Sequence, residues 1–88
     1  RMWELPLVRD YEEQLKSKVA DLKNTGARRE AGAILGGLFL KEFTGQASWA
    51  HLDIAGVAFS DREHALGPAG ATGAPVRAVI SYLQTLAK

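Results

Sequence analysis

The run Ala31-Gly32-Ala33-Ile34-Leu35-Gly36-Gly37-Leu38-Phe39-Leu40 constrains this chain more than any other stretch. At helical periodicity its apolar residues fall on every side, so a helix built from it must be covered all round. Gly32, Gly36 and Gly37 each cost roughly 1 kcal/mol of helix stability against alanine. Such a cost makes sense where a helix backbone lies close against a neighbour. Lys41 and Glu42 return the run to solvent and Gly45 ends it, which predicts a buried helix over Arg28–Phe43. The uncharged run is far short of the ~20 residues that span a bilayer.

On either side of this helix the pattern changes to strands. Val19-Ala20-Asp21-Leu22 is a short strand candidate, closed by the turn Asn24-Thr25-Gly26. Trp49 to Ala55 is a second, predicted to be buried, with Gly56 allowing an unusual backbone turn at its end. Period-two alternation puts Trp49, His51 and Asp53 on one face and Ala50, Leu52 and Ile54 on the other. Strand, buried helix and strand in this order suggest a right-handed βαβ unit in a parallel pair. Before it, Trp3, Leu5 and Leu7 alternate with Glu4 and Pro6, an extended opening that Pro6 confines to an edge or a non-sheet segment. Asp10 with Glu13 resembles a capping box, ahead of a short helix expected over Tyr11–Lys18. After it, Ser60–Gly70 reads as a loop. Thr72 is placed to cap a last helix with Val76, Val79, Ile80, Leu83 and Leu86 on one stripe. Two strands and three helices do not close a sheet. The expected fold is α/β, a βαβ-plus-helix piece at one end of a larger sheet.

Composition narrows the function classes. A chain of 88 residues is one domain or part of one, and buries only roughly 60–65% of its unfolded surface. An apolar content of 47% with 24% charged residues is that of a globular protein, not a disordered one. A net charge of +1 gives no footprint for nucleic acid or an acidic membrane. With no cysteine, disulfides, zinc-thiolate sites and a cysteine nucleophile drop out together. No signal peptide is visible, and the opening Arg1-Met2-Trp3 suggests a fragment or a processed piece.

The residues that could carry chemistry are few. His51 and Asp53 on one strand face could supply two metal ligands, with Asp61 or His64 as a third. Two-ligand patterns arise often by chance, and hydrogen-bonded polar groups within the core are the better reading. Ser48, Ser60 and Ser81 lack the strand-to-helix elbow of a hydrolytic serine. Asn24-Thr25-Gly26 could offer backbone N–H groups to an anion, but Gly26 and Gly32 match neither the dinucleotide nor the phosphate-loop spacing. Arg28 and Arg29 at a helix start read as a solvated pair.

Several stretches carry a family resemblance. They are Trp3-Glu4-Leu5-Pro6-Leu7, Ala20-Asp21-Leu22-Lys23-Asn24, Ala31-Gly32-Ala33-Ile34 and Phe39-Leu40-Lys41-Glu42-Phe43. Two longer ones follow, Trp49-Ala50-His51-Leu52-Asp53-Ile54-Ala55-Gly56 and Gly70-Ala71-Thr72-Gly73-Ala74-Pro75-Val76-Arg77. In this order and spacing the chain resembles the C-terminal part of the leucyl aminopeptidase (cytosol aminopeptidase) family, with residues 1–88 forming the C-terminal portion of the catalytic domain. The match is weakest over Ser60–Pro68.

The resemblance implies a mixed sheet sandwiched between helices and a cytoplasmic homo-hexamer. It also implies two divalent metal ions (zinc, manganese or magnesium) that serve hydrolysis of N-terminal residues from peptides. Family members hold the metals through a lysine, aspartates and a glutamate upstream of this region, partly in an Asn-Thr-Asp-Ala-Glu-Gly-Arg signature. Asn24-Thr25-Gly26-Ala27-Arg28-Arg29-Glu30 can be laid over that signature only by losing both carboxylates, and its flanks place it in the family's later turn. No catalytic or metal-binding residue is therefore expected here. Ala55 and Ala58 align with residues lining the pocket for the substrate's N-terminal side chain, and Thr25 with a position on the leaving-residue side. Ala58 stands where some relatives carry methionine, which implies a roomier pocket.

The leading reading is thus a piece of a two-metal aminopeptidase that supplies pocket wall and core, completed by the remainder of the catalytic domain. The alternative is a non-catalytic interaction or scaffold module on the same fold end. A free-standing nucleotide-binding βαβ unit is a poorer third. The 88-residue chain assayed alone with Leu-amide and Mn²⁺ is expected to show no metal-dependent hydrolysis; measurable turnover would overturn the assignment of all metal ligands to upstream sequence.

Overall fold

A computed structural model describes residues 1–87. The chain divides into two compact units, Arg1–His51 and the residues from Leu52 onward. The elements in order are a 3₁₀ helix at Arg9–Leu15, α1 at Gly32–Lys41, β1 at Phe59–Ser60, β2 at Gly70–Ala71 and α2 at Val76–Leu86. The fold is α/β, as expected, but its strands are not where the sequence pattern put them.

In the first unit the core is small. Leu15 on the 3₁₀ helix packs with Leu35 and Leu38 on α1, each 2–3% exposed, and Tyr11, Leu22, Ile34 and Phe39 lean on this cluster. The first helix runs Arg9–Leu15 in 3₁₀ form instead of Tyr11–Lys18. Its expected capping box is absent: Val8 is the N-cap with no side-chain cap bond, and the Glu13 carboxylate instead meets the Lys16 ammonium at 2.6 Å. Lys23 N–H donates to the Leu15 carbonyl at 2.8 Å, tying the chain after the helix back to the core.

Helix α1 is shorter than the apolar run that predicts it. Arg28–Glu30 stay outside, and Ala31 at the N-cap holds a left-handed backbone with φ 51°. At the far end Glu42, Phe43 and Thr44 N–H groups turn back onto the carbonyls of Phe39, Leu40 and Lys41. Gly45, at φ +58°, makes a left-handed step beyond the C-cap Glu42, after the helix has ended at Lys41. Of the helix glycines only Gly37 meets a close neighbour, where a Cβ would come within 3.2 Å of Leu7 Cδ2. Gly32 and Gly36 face open space, and Leu40 is 44% exposed. The all-round apolar helix is covered on one side only.

Neither segment of the expected parallel pair forms a strand. Val19 and Ala20 donate their N–H groups to the Ser17 hydroxyl in a bend, which leaves the Val19 side chain 96% exposed. Trp49–Ile54 has no ladder partner among the described residues. Backbone donors need an acceptor; with no neighbouring strand to pair with, side-chain oxygens take the role. The stretch keeps some period-two character, since Trp49 and His51 stack at 6.2 Å with 25° between their rings. It is not buried: His51 and Asp53 are exposed, not the core polar groups expected from the sequence. Gly56 takes an ordinary backbone and is not needed for the turn.

In the second unit the segment expected as a loop, Ser60–Gly70, lies between two short strands that pair at its ends. β1 and β2 pair antiparallel, Phe59 opposite Ala71 and Ser60 opposite Gly70. Beyond them His64 and Gly67 exchange both backbone hydrogen bonds, at 3.0 and 3.1 Å, and Leu66 N–H donates to His64 Nδ1 at 3.1 Å. Helix α2 carries the expected stripe, yet none of its residues is buried.

The surface reflects this. The chain exposes 7953 Å². Two separate compact globules, each of half its mass, would expose about 6,000 Å² together. Much of the excess is apolar, including Trp3, Phe43, Phe59, Leu66 and the α2 stripe. In urea unfolding of the chain, Leu38→Ala is expected to lose about 2–5 kcal/mol, while Val19→Ala stays within about 0.5 kcal/mol. Equal losses at the two positions would refute this placement of the core.

Candidate functional site

The two longest motif stretches meet in the second unit, at the turn that follows Asp53. Asp53 Oδ1 accepts the Ala55 N–H at 3.0 Å, an Asx turn that folds the chain directly after the extended segment. The Ile54 carbonyl then accepts two N–H groups, from Val57 at 3.0 Å and Ala58 at 2.9 Å. Residues 54–58 therefore form one hydrogen-bonded turn. Ala55 lies exposed on it, and Ala58 is half-buried where it feeds into β1.

This turn is fastened to the segment after β2 by one residue. Thr72 N–H donates to the Ala58 carbonyl at 2.9 Å, extending the β1–β2 pairing by one bond. The Thr72 hydroxyl donates to the Val57 carbonyl and accepts the Ala74 N–H at 3.2 Å. Gly73 beside it has φ +68°, a conformation that side chains other than glycine's resist. Thr72 does not cap α2 as expected. Pro75, whose side chain has no hydrogen-bonding atom, is the N-cap, and the Thr72 hydroxyl is engaged with Val57 and Ala74 instead.

Of the three candidate pocket residues, Ala55 and Ala58 are thus brought into one turn. Thr25 belongs to the first unit and shares no element with them. It is exposed in a bend whose next residue, Gly26, is seated on the core: a Cβ there would come within 2.5 Å of Leu35 Cδ1 and 3.3 Å of Gln14 Oε1. A shallow open recess of about 480 Å³ also lies in the first unit, between Leu7, Lys41 and Trp49, and contains none of the three.

The family model for the cytosol aminopeptidase family, catalytic domain, matches residues 1–80. The chain belongs to the cytosol aminopeptidase family. It is 50% identical over 84 residues to a probable cytosol aminopeptidase of Geobacter sp., covering 96% of this chain and 17% of that protein. The corresponding protein of Acidithiobacillus ferrooxidans is 55% identical over 83 residues, with 94% of this chain and 16% of that protein covered. The crystal structure of cytosol aminopeptidase from Coxiella burnetii superposes with a TM-score of 0.78 at 41% identity, covering 94% of this chain and 18% of that one. The chain thus spans about a sixth of the length of the aminopeptidases it matches.

The metals that the family resemblance implies do not fit the residues present. Among the described residues no three His, Asp or Glu side chains converge as a cation site would require. Asp53 is engaged with the Ala55 N–H, and His64 Nδ1 accepts the Leu66 N–H. No catalytic step is assigned to any side chain of this chain. What it offers is shape: small side chains on a turn whose backbone is pinned from two directions.

Ala55 and Ala58 are candidates through the family resemblance alone, and the sequence analysis did not name the bonds that hold their turn. The signals were present in Asp53, two residues before a turn, and in Thr72-Gly73, a hydroxyl beside a glycine. Asp53→Ala is expected to raise the hydrogen-exchange rate of the Ala55 amide several-fold, while Asp53→Asn, which keeps the acceptor oxygen, preserves its protection. Equal exchange in all three proteins would mean that the Asx bond does not hold the turn.

Proposed function

We propose that this chain is the C-terminal portion of the catalytic domain of a two-metal aminopeptidase that removes N-terminal residues from peptides. The observation that carries the proposal is the family match over residues 1–80 together with the 50–55% identity to cytosol aminopeptidases. The complete enzyme is proposed to be a cytoplasmic homo-hexamer whose two divalent ions, zinc, manganese or magnesium, are held by residues upstream of this segment. Those ions would supply a polarised peptide carbonyl and an activated water.

The contribution of this chain is to select the substrate. Ala55 and Ala58 are proposed to line the pocket for the side chain of the residue being removed, and Thr25 to face the leaving-residue side. The wall is stiff because the turn's backbone groups are hydrogen-bonded among themselves and to Thr72. The pocket's depth is set by side-chain size. A methyl group at Ala58 leaves room that a longer side chain would fill, so bulky substrate residues can be accommodated alongside leucine. The exposed apolar residues of both units, the α2 stripe above all, are proposed to be covered by the remainder of the catalytic domain.

Pockets of this kind discriminate one methylene by roughly 10–200-fold in kcat/KM. In the complete enzyme, Ala58→Met is expected to lower kcat/KM for Phe-amide by about tenfold relative to Leu-amide, measured as a ratio on one preparation. Unchanged kcat/KM ratios among Leu, Met and Phe substrates would remove Ala58 from the pocket.

A further inference from the structure

We propose that Thr72 is a positioning residue for substrate selection, holding the pocket-wall turn through its hydroxyl without touching the substrate. The inference rests on the assignment of Ala55 and Ala58 to the pocket wall and adds a residue to which the family resemblance assigns no role.

The physical case begins with burial. No residue from Leu52 onward is buried among those described, so apolar packing within this unit contributes little to the turn. What this unit itself supplies to fix the turn is hydrogen bonds. Within residues 54–58 the two N–H groups that meet the Ile54 carbonyl close the turn locally. They do not fix its direction relative to the strand pair. That is done by Thr72, fifteen positions on from Val57.

Three hydrogen bonds converge on Thr72. Its N–H holds the Ala58 carbonyl at 2.9 Å and its hydroxyl proton goes to the Val57 carbonyl. The same oxygen accepts the Ala74 N–H at 3.2 Å. Consecutive carbonyls of the turn are thus gripped by the backbone and the side chain of one residue. A hydroxyl suits this place because it donates and accepts at once. Valine, of the same shape, would leave the Val57 carbonyl and the Ala74 N–H without these partners. Serine would keep both bonds.

The residue therefore acts on Ala58 through the backbone on either side of it, and its loss should appear in binding of the substrate side chain and not in the chemical step. Loss of a hydrogen bond of this kind corresponds to about 2–10-fold in an equilibrium constant. In the complete enzyme, Thr72→Val is expected to raise KM about 3–10-fold for Leu-, Met- and Phe-amides, with kcat within about 2-fold. Ala-amide, whose side chain is too short to press on the pocket wall, should change least, and Thr72→Ser should restore KM. If Thr72→Val does not yield folded enzyme, Thr72→Ala removes the same hydroxyl with less bulk and carries the same expectation.

Three results would overturn the assignment: kinetics of Thr72→Val identical to those of the unsubstituted enzyme, an equal fall in kcat on every substrate including Ala-amide, or no rescue by serine. Ala58→Met measured alongside separates the two levels. If it shifts the substrate kcat/KM ratios while Thr72→Val changes nothing, the positioning role alone fails. If Ala58→Met also changes nothing, the pocket-wall assignment fails and the role of Thr72 fails with it.

Discussion

The first unit depends on one contact, that of Leu15 with Leu35 and Leu38. These leucines bring a short 3₁₀ helix against one side of α1, and the unit's other close approaches are arranged around that side. Gly26 has no side chain because Leu35 and Gln14 occupy the space it would need. Gly37 turns its bare face to Leu7 for the same reason. A core of this size reaches only a fraction of the apolar residues that the segment carries, so Leu40, Phe43 and Trp3 are left at the surface. Apolar surface of this kind is what a buried element shows when its surroundings are incomplete.

The second unit is held differently. It has hydrogen bonds where the first has packing: Asp53 to Ala55, Ile54 to Val57 and Ala58, and Thr72 to Val57, Ala58 and Ala74. Such bonds are directional and set a backbone path, whereas apolar contact is not directional and mainly sets which face is hidden. A substrate pocket whose walls are alanines needs the former, since a methyl group has no reach with which to correct a misplaced backbone. This division suits a segment proposed to shape a site whose reacting groups lie elsewhere in the enzyme.

Much of this was legible in the residues. The helical periodicity of Val76–Leu86 and the apolar run around Leu35 gave two helices that the structure contains, with ends displaced by a few positions. The family was legible from the motifs Trp49–Gly56 and Gly70–Arg77. The parallel strand pair was not. Val19–Leu22 and Trp49–Ala55 have the composition of strands, but a strand exists only beside another, and no ladder reaches either of them among the described residues. The pairing that does form joins Phe59–Ser60 to Gly70–Ala71 across a stretch rich in charge, glycine and proline, where a loop was the natural expectation.

The sequence by itself determined which residues are apolar, where helices can run, where glycine permits a turn, and to which family the chain belongs. Those properties are local, or are carried by the order of short motifs. Only the tertiary structure decided that Thr72 would grip the turn instead of capping α2, that Asp53 would fold the chain instead of lying within a core, and that α1 would be covered on one side. Each of these outcomes depends on which partner is within hydrogen-bonding or van der Waals reach. Distance between residues far apart in sequence is the quantity that periodicity and composition do not contain.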